Sequence, residues 1–247
     1  MDGEVISVGA IIQARMKSTR LPGKVLMALP FGTSSTILDW ITREVKRSQV
    51  IRSAVIATST DPSNDPIEDY ARYNNMPFVR ASEDDVLSRF VTAIEQHGFT
   101  HIVRLTGDNP LIDISIIDQV IERHINNCSD YTCTTGLPIG MNVEVIRSSA
   151  LLDSFGRNDI SDADREHVTL YVKRSGHYKT DMVQMDFTLS RDDVRLTVDY
   201  PGDFAALNLI LQSSGESKHR GMELVQYIDR HYPWIWEINC GQIQKKV

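Results

Sequence analysis

Four cations, Arg15, Lys17, Arg20 and Lys24, stand with no acid among them in the stretch Gln13-Ala14-Arg15-Met16-Lys17-Ser18-Thr19-Arg20-Leu21-Pro22-Gly23-Lys24. Such a knot of charge suits a polyphosphate, whose oxygens it would neutralise. Ser18 and Thr19 add hydroxyl donors, and Gly23 lets backbone approach a ligand closely. The chain as a whole is acidic, with 26 Lys+Arg against 33 Asp+Glu and a formal charge of −7. Such a surface repels polyanions, so no nucleic-acid partner is expected, and a local basic cluster stands against the trend. The stretch is not the Walker loop. That pattern places a Gly five residues before the Gly-Lys pair and a Ser or Thr after it, positions held here by Ser18 and Val25. On its cations alone it also fits a solvated basic turn.

Asp108 and Asp199 each close an apolar run, and each is followed within two residues by proline. Phosphoryl-type transfer uses a metal to bridge phosphate oxygens, and Mg²⁺ takes one or two carboxylates together with phosphates and water. Two such carboxylates facing one crevice would meet that need. Gly107-Asp108-Asn109-Pro110 also fits a simple turn, and Asp199 also fits a cap on the following helix. On the acceptor side, Arg165-Glu166-His167 combines a guanidinium that can clamp a carboxylate or phosphate with groups that fix hydroxyls. The alternative is that Asp164 or Glu166 caps a helix there. Arg104 fits either a crevice position or a buried ion pair, and Glu144 is a further acceptor contact. No Ser/His/Asp arrangement or reactive-cysteine motif is present, so covalent catalysis is not indicated. Cys128, Cys133 and Cys240 form no CxxC pair, which argues for a reducing compartment and against a thiolate zinc site.

These groups need strands and helices to position them. Apolar runs at residues 5–12, 54–57 and 101–105 read as strands covered on both faces. Between them lie helices opened by Asp65-Pro66, by a capping box of Ser82 with Asp85, and by Asp113. Further strands are expected at 131–134, 142–146, 182–185 and 194–197, and helices at 149–154, 203–211 and 222–230. The βαβα order implies an α/β fold with a mostly parallel central sheet and flanking helices. At 247 residues, without repeats or a dividing linker, the chain is read as a single domain, 1–247, with a small flap. The acidic start lacks the pattern of a secretory signal, and no apolar run is long enough for a membrane span, so a cytoplasmic protein is expected.

The order of residues in the basic loop is more specific than its charge. Ala14 to Lys24 resembles the signature loop of the cytidylyltransferases that make CMP-activated sugar acids, most closely the spore coat polysaccharide biosynthesis protein F branch. The likeness continues through Ala57-Thr58-Ser59-Thr60-Asp61, residues 82–89, residues 104–113, Arg165-Glu166-His167-Val168-Thr169, and residues 196–203. It implies a Rossmann-like nucleotide-diphospho-sugar transferase fold, CTP as donor, Mg²⁺ as cofactor and a homodimer. It further implies that Arg15, Ser18, Arg20 and Lys24 contact the triphosphate, that Ala14 and Ser82 lie near the cytosine, and that Asp108 and Asp199 bind the metal. Arg15, Arg20, Lys24 and Asp108 are thus the candidate catalytic groups. Arg104, Glu144, Arg165, Glu166 and His167 are the candidates for a small sugar-type acceptor. Asn142 stands where related sequences commonly carry Asp, so no carboxylate role transfers to it. Transfer to a sugar phosphate or phosphonate, glycosyl transfer on the same fold, and nucleotide binding without catalysis are the competing readings.

Overall fold

The computed structural model describes residues 5–213 and 219–242. Seven strands share one sheet: β1 (Val8–Gln13), β2 (Ser53–Ser59), β3 (Phe78–Ala81), β4 (His101–Thr106), β5 (Tyr131–Thr135), β6 (Glu144–Arg147) and β7 (Thr180–Gln184). Their order is β3-β2-β1-β4-β6-β5-β7. β1 runs parallel to β2 and β4, β2 to β3, and β5 to β7, while β6 runs antiparallel to both β4 and β5. This is the expected mostly parallel α/β sheet with flanking helices.

Helices cover both faces: α1 (Ile37–Val45), α2 (Asp65–Tyr73), α3 (Val86–His97), α4 (Ile114–Asn126), α5 (Ser148–Phe155), α6 (Asp162–His167), α7 (Leu170–Arg174), α8 (Pro201–Ser213) and α9 (Gly221–His231). Successive β1 residues serve opposite faces, as a pleated strand requires. Ile12 packs in the core formed with α1, α4, α8 and α9, and Ile11 in the core formed with α3, α5 and α7. Because both neighbours are fully buried, the strand reads as an unbroken apolar run. Each such side chain contributes about 1.5–3 kcal/mol.

Several elements differ from the sequence expectation. β1 starts at Val8, leaving Val5 and Ile6 exposed. β3 is a short strand in which only Val79 is buried, too little for a periodic signal. α1 follows the polar run Thr33-Ser34-Ser35 and begins at a capping box of Thr36 with Asp39. Asp65 is the first residue of α2 behind Asn64, and Asp61 caps the one-turn helix before it. Asp85, not Ser82, caps α3 by accepting from the Ser88 N–H. Asp113 caps α4 as expected. Residues 194–197 are no sheet strand: they form an extended segment tied to Ile139, whose N–H donates to the Val194 carbonyl at 3.1 Å while Leu196 N–H returns the bond at 2.8 Å.

Candidate active site

The basic loop leaves β1 at Gln13 and turns across the carboxyl ends of the parallel strands, where open α/β sheets bind ligands. Its shape is fixed by a few contacts. Ala14 N–H donates to the Ala57 carbonyl at 3.0 Å and Gly23 N–H to the Met16 carbonyl at 2.9 Å. Gly23 has φ 72, a left-handed conformation that costs any side-chain-bearing residue. Asn64, fully buried, accepts from Met16 N–H at 2.8 Å and donates to Ser59 Oγ at 2.7 Å and Glu83 Oε2 at 3.2 Å. It therefore ties the basic loop to the segment before α3. Lys17 turns outward to Asp61 at 2.5 Å. Arg15, Ser18, Thr19, Arg20 and Lys24 line a cleft of about 260 Å³ with Ala14, Arg89, Arg104, Asp108, Glu166, His167 and Asp199.

The two aspartates meet although far apart in sequence. At the end of β4, Gly107 lets the chain pass close to the basic loop, since a Cβ there would lie 3.0 Å from that of Ala14. The Val198 N–H then donates to the Asp108 carbonyl at 2.8 Å. Between the carboxylates sits the Lys24 ammonium, 2.6 Å from Asp108 Oδ2, 3.0 Å from Asp199 Oδ1 and 2.6 Å from the Val198 carbonyl. Arg20 Nη2 also donates to Asp199 Oδ1, at 2.8 Å, and its guanidinium lies 4.7 Å from the centre of the Tyr200 ring. Its Nη1 is buried and has no partner among the described residues. The second oxygen of Asp199 accepts from Arg195 Nη2 at 2.6 Å, and Arg195 Nε donates to Asp203 Oδ1 at 2.9 Å. Asp203 in turn accepts from the Asp199 and Tyr200 N–H groups, both at 2.9 Å. Burial pushes the Asp199 carboxyl up, but Lys24, Arg20 and Arg195 outweigh it and hold its pKa below the ordinary value. Arg20, Lys24 and Arg195 formally balance Asp108, Asp199 and Asp203, which is what lets so many charges sit together out of water.

Beyond Arg104 and Thr106, which line both, opens a second cavity of about 550 Å³ that includes Asn109, Tyr131, Thr134, Asn142, Glu144 and Lys173. The β4–β6 register sets Arg104 opposite Glu144, and Arg104 Nη1 donates to Glu144 Oε2 at 2.9 Å. Tyr131 Oη at 2.5 Å and Thr169 Oγ1 at 3.1 Å both donate to Glu144 Oε1. Burial pushes the Glu144 carboxyl up, yet Arg104 and the two hydroxyls keep its pKa below the ordinary value. Glu144 is thus a charged anchor that aims Arg104 at the junction of the two cavities. The α6–α7 segment walls the cleft on this side and is packed on the core through Val168 and Val172. Val168, buried at φ 57, forces a tight turn in which Thr169 N–H donates to the His167 carbonyl at 2.5 Å. The turn directs Glu166 and His167 to the cleft and Thr169 to Glu144.

Two of the expected site residues lie apart from these cavities. Arg165 Nη1 donates to Asp85 Oδ2 at 2.7 Å and its guanidinium lies over the Phe155 ring. Ser82 accepts from Asp85 N–H with its hydroxyl, at 3.1 Å, and from Arg89 Nε with its carbonyl, at 2.7 Å. It touches the cleft only through Arg89. Asn64, Arg89, Arg195, Tyr200 and Asp203 belong to the site without having been singled out from sequence. A charged residue inside the apolar run Val194-Arg195-Leu196, with acids four and eight residues later, is the signal that points to Arg195 and Asp203.

Among the described residues no cluster of three or more His, Cys, Asp or Glu side chains is arranged to hold a metal. The Asp108 and Asp199 oxygens nonetheless converge on one cation, the Lys24 ammonium. That convergence fits a hard divalent ion that takes two carboxylates and completes its shell with phosphate and water.

A family model described as cytidylyltransferase matches residues 9–216. The spore coat polysaccharide biosynthesis protein SpsF of Bacillus subtilis (strain 168) is 35% identical over 227 residues, covering 90% of this chain and 93% of that protein. A solved cytidylyltransferase from Leptospira borgpetersenii serovar Hardjo-bovis is 29% identical with a TM-score of 0.82, covering 97% of this chain and 99% of that one. A CMP:2-keto-3-deoxy-manno-octonic acid synthetase solved with CTP shares the fold at 12% identity and a TM-score of 0.64, covering 84% of this chain and 99% of that one. The matched residues include the basic loop, both facing aspartates and the wall formed by Glu166 and His167, and the chain belongs to the cytidylyltransferase family.

Proposed function

We propose that this cytidylyltransferase transfers CMP from CTP to a sugar-acid-type acceptor and releases pyrophosphate, as a cytoplasmic step toward a glycan or surface polysaccharide. The single observation that carries the reading is the buried, unpartnered Arg20 Nη1 in a cleft that also holds Arg15, Ser18 and Lys24. A buried donor without an acceptor costs about 1–3 kcal/mol, and a phosphate oxygen would supply what it lacks.

In this reading an acceptor hydroxyl oxygen attacks the α-phosphorus in line and gives up its proton to solvent, the bond to the β-phosphate breaks, and the electron pair leaves with pyrophosphate. Lys24 and Arg20 bind the departing phosphates, Arg15 lies beside the attacked group, and Ala14 borders the base. Ser82 reaches the base side only through Arg89. Arg104, aimed by Glu144, offers a guanidinium where donor and acceptor cavities meet, the place for an acceptor carboxylate. Glu166 and His167 receive acceptor hydroxyls. Arg165 joins them only by leaving Asp85. Asp108 and Asp199 would hold Mg²⁺, which would supply charge compensation for the leaving pyrophosphate. Everything the protein supplies is position and charge compensation, for which loss of a single donor typically costs a factor of about 10²–10³. The single domain is further proposed to work as a homodimer, which sedimentation velocity tests.

The deciding experiment measures pyrophosphate release with each of the four nucleoside triphosphates against keto sugar acids, sugar phosphates and phosphonates. Release with CTP and a keto sugar acid is expected. Release with sugar phosphates alone would overturn the acceptor class, and no release with any pair would overturn the catalytic reading.

A further inference from the structure

Lys24 is buried, and its ammonium is enclosed by Asp108 Oδ2, Asp199 Oδ1 and the Val198 carbonyl at 2.6, 3.0 and 2.6 Å. Two carboxylate oxygens and a carbonyl around one cation make the kind of oxygen cage that hard cations occupy. We propose that Lys24 is the resident cation of this cage, and that a divalent ion enters only when a triphosphate draws the Lys24 ammonium onto its own oxygens.

Lys24 and a divalent ion compete for Asp108 Oδ2 and Asp199 Oδ1, the second of which Lys24 already shares with Arg20 Nη2 at 2.8 Å. A divalent ion bound to Asp108 Oδ2 and Asp199 Oδ1 would stand within a few ångströms of the ammonium, where like charges repel strongly in a partly dry site. Lys24 has somewhere to go, because it lines the cleft beside Arg15, Ser18 and the unpartnered Arg20 Nη1. Its departure leaves Asp108 tied to the facing segment through its backbone carbonyl, which accepts from Val198 N–H at 2.8 Å. Asp199 remains held through its other oxygen by Arg195, which is itself anchored on the fully buried Asp203. Lys24 is therefore a positioning residue for the metal site as well as a phosphate contact. It offsets the charge of the two carboxylates while no metal is bound, and it makes metal and nucleotide binding mutually dependent. By linkage the metal must then tighten nucleotide binding by the same factor.

The inference rests on the reading of the cleft as a CTP site, and its test is separable from that reading. Mn²⁺ binding is titrated by electron paramagnetic resonance for the wild type, Lys24→Met and Lys24→Gln, each with and without a non-hydrolysable CTP analogue. Thermal melts select whichever variant folds. The wild type is expected to bind Mn²⁺ about tenfold or more tightly with the analogue than without, within the usual range of coupling. Either folded variant is expected to bind Mn²⁺ alone about tenfold more tightly than the wild type and to lose most of the enhancement by the analogue. Equal Mn²⁺ affinity of the wild type with and without the analogue overturns the proposal. So does a folded variant that binds Mn²⁺ alone no better than the wild type. Loss of CTP-dependent pyrophosphate release in the wild type would instead overturn the cytidylyl-transfer reading, while the comparison of wild type and variant with Mn²⁺ alone would stand.

Discussion

Asp203→Asn keeps the shape of a side chain and removes its charge. Asp203 is fully buried and accepts four hydrogen bonds, from Arg195 Nε, Asn239 Nδ2 and the N–H groups of Asp199 and Tyr200, all between 2.9 and 3.0 Å. An Asn has one oxygen for those four donors, so its amide nitrogen faces two of them directly. Losing charge-assisted hydrogen bonds costs about 1.5–3 kcal/mol each, and removing one partner of a buried ion pair about 3–5 kcal/mol. The expected loss is about 3–5 kcal/mol, a large part of the 5–15 kcal/mol that holds a typical domain together. Asp108→Asn makes the contrast. Its side chain is 25% exposed and pairs with Lys24, which keeps Asp199 and the Val198 carbonyl as partners, so the loss should stay near 1–2 kcal/mol. Pyrophosphate release in that variant, however, should fall about 10²–10³-fold. Urea denaturation of both variants, with the slope checked for constancy, gives the stabilities, and activity is normalised to folded protein. The reasoning fails if Asp203→Asn unfolds within about 1 kcal/mol of the wild type, or if Asp108→Asn is the less stable of the two.

Acid should weaken the fold through His124. Burial first, then the charges of His101 and Arg147, push its pKa from 6.5 down to about 4, so between those values the unfolded chain takes a proton that the folded one refuses. Stability is therefore complete above pH 6.5 and declines as pH falls toward 4, by about 3 kcal/mol in total, and a His124→Gln variant that keeps the full slope in urea midpoints would exclude this source. Asn64→Leu should cost about 1–3 kcal/mol and raise KM for CTP about tenfold while leaving that for the acceptor nearly unchanged, because it frees the basic loop; steady-state kinetics showing equal rises in both would contradict a local effect. In Gly9→Ala the new Cβ would fall inside contact distance of the Phe99 ring, so a loss of about 1–3 kcal/mol is expected, and calorimetry should find much of it restored by adding Phe99→Leu.

The basic loop was legible in the sequence because its chemistry is contiguous: four cations without an acid, placed after an apolar run. Asp108 and Asp199 were legible as closing apolar runs before prolines, although Asp199 lies on an extended segment outside the sheet. What stayed hidden is the support behind these groups. Arg195 and Asp203, which brace Asp199, left a single trace, a charge inside an apolar run, whereas Asn64 joins Met16 to Glu83, a link that shows only once folding brings the partners close. The same reason explains Arg165. A guanidinium beside Glu166 and His167 has the chemistry of an acceptor clamp, yet its carboxylate partner is Asp85, 80 residues earlier. β3 and α1 escaped because one is short and half-exposed and the other begins behind a polar run.

A strand that runs against its neighbours presents its beginning where they present their ends. β6 does so between β4 and β5, and as a result one continuous piece of chain, from Tyr131 to Glu144, supplies much of the wall of the second cavity. The cleft beside it is assembled from distant pieces: the basic loop, the end of β4 and the Arg195–Asp203 brace. The two halves are therefore unequally editable. A change in the scattered half disturbs several buried ion pairs at once; in the continuous half that holds for Glu144 and Tyr131, which fix Arg104, whereas a substitution at Asn142 alters one surface of one cavity. The reversed strand thereby leaves the second cavity open to redesign at positions such as Asn142 while the ion pairs around Lys24 stay in place.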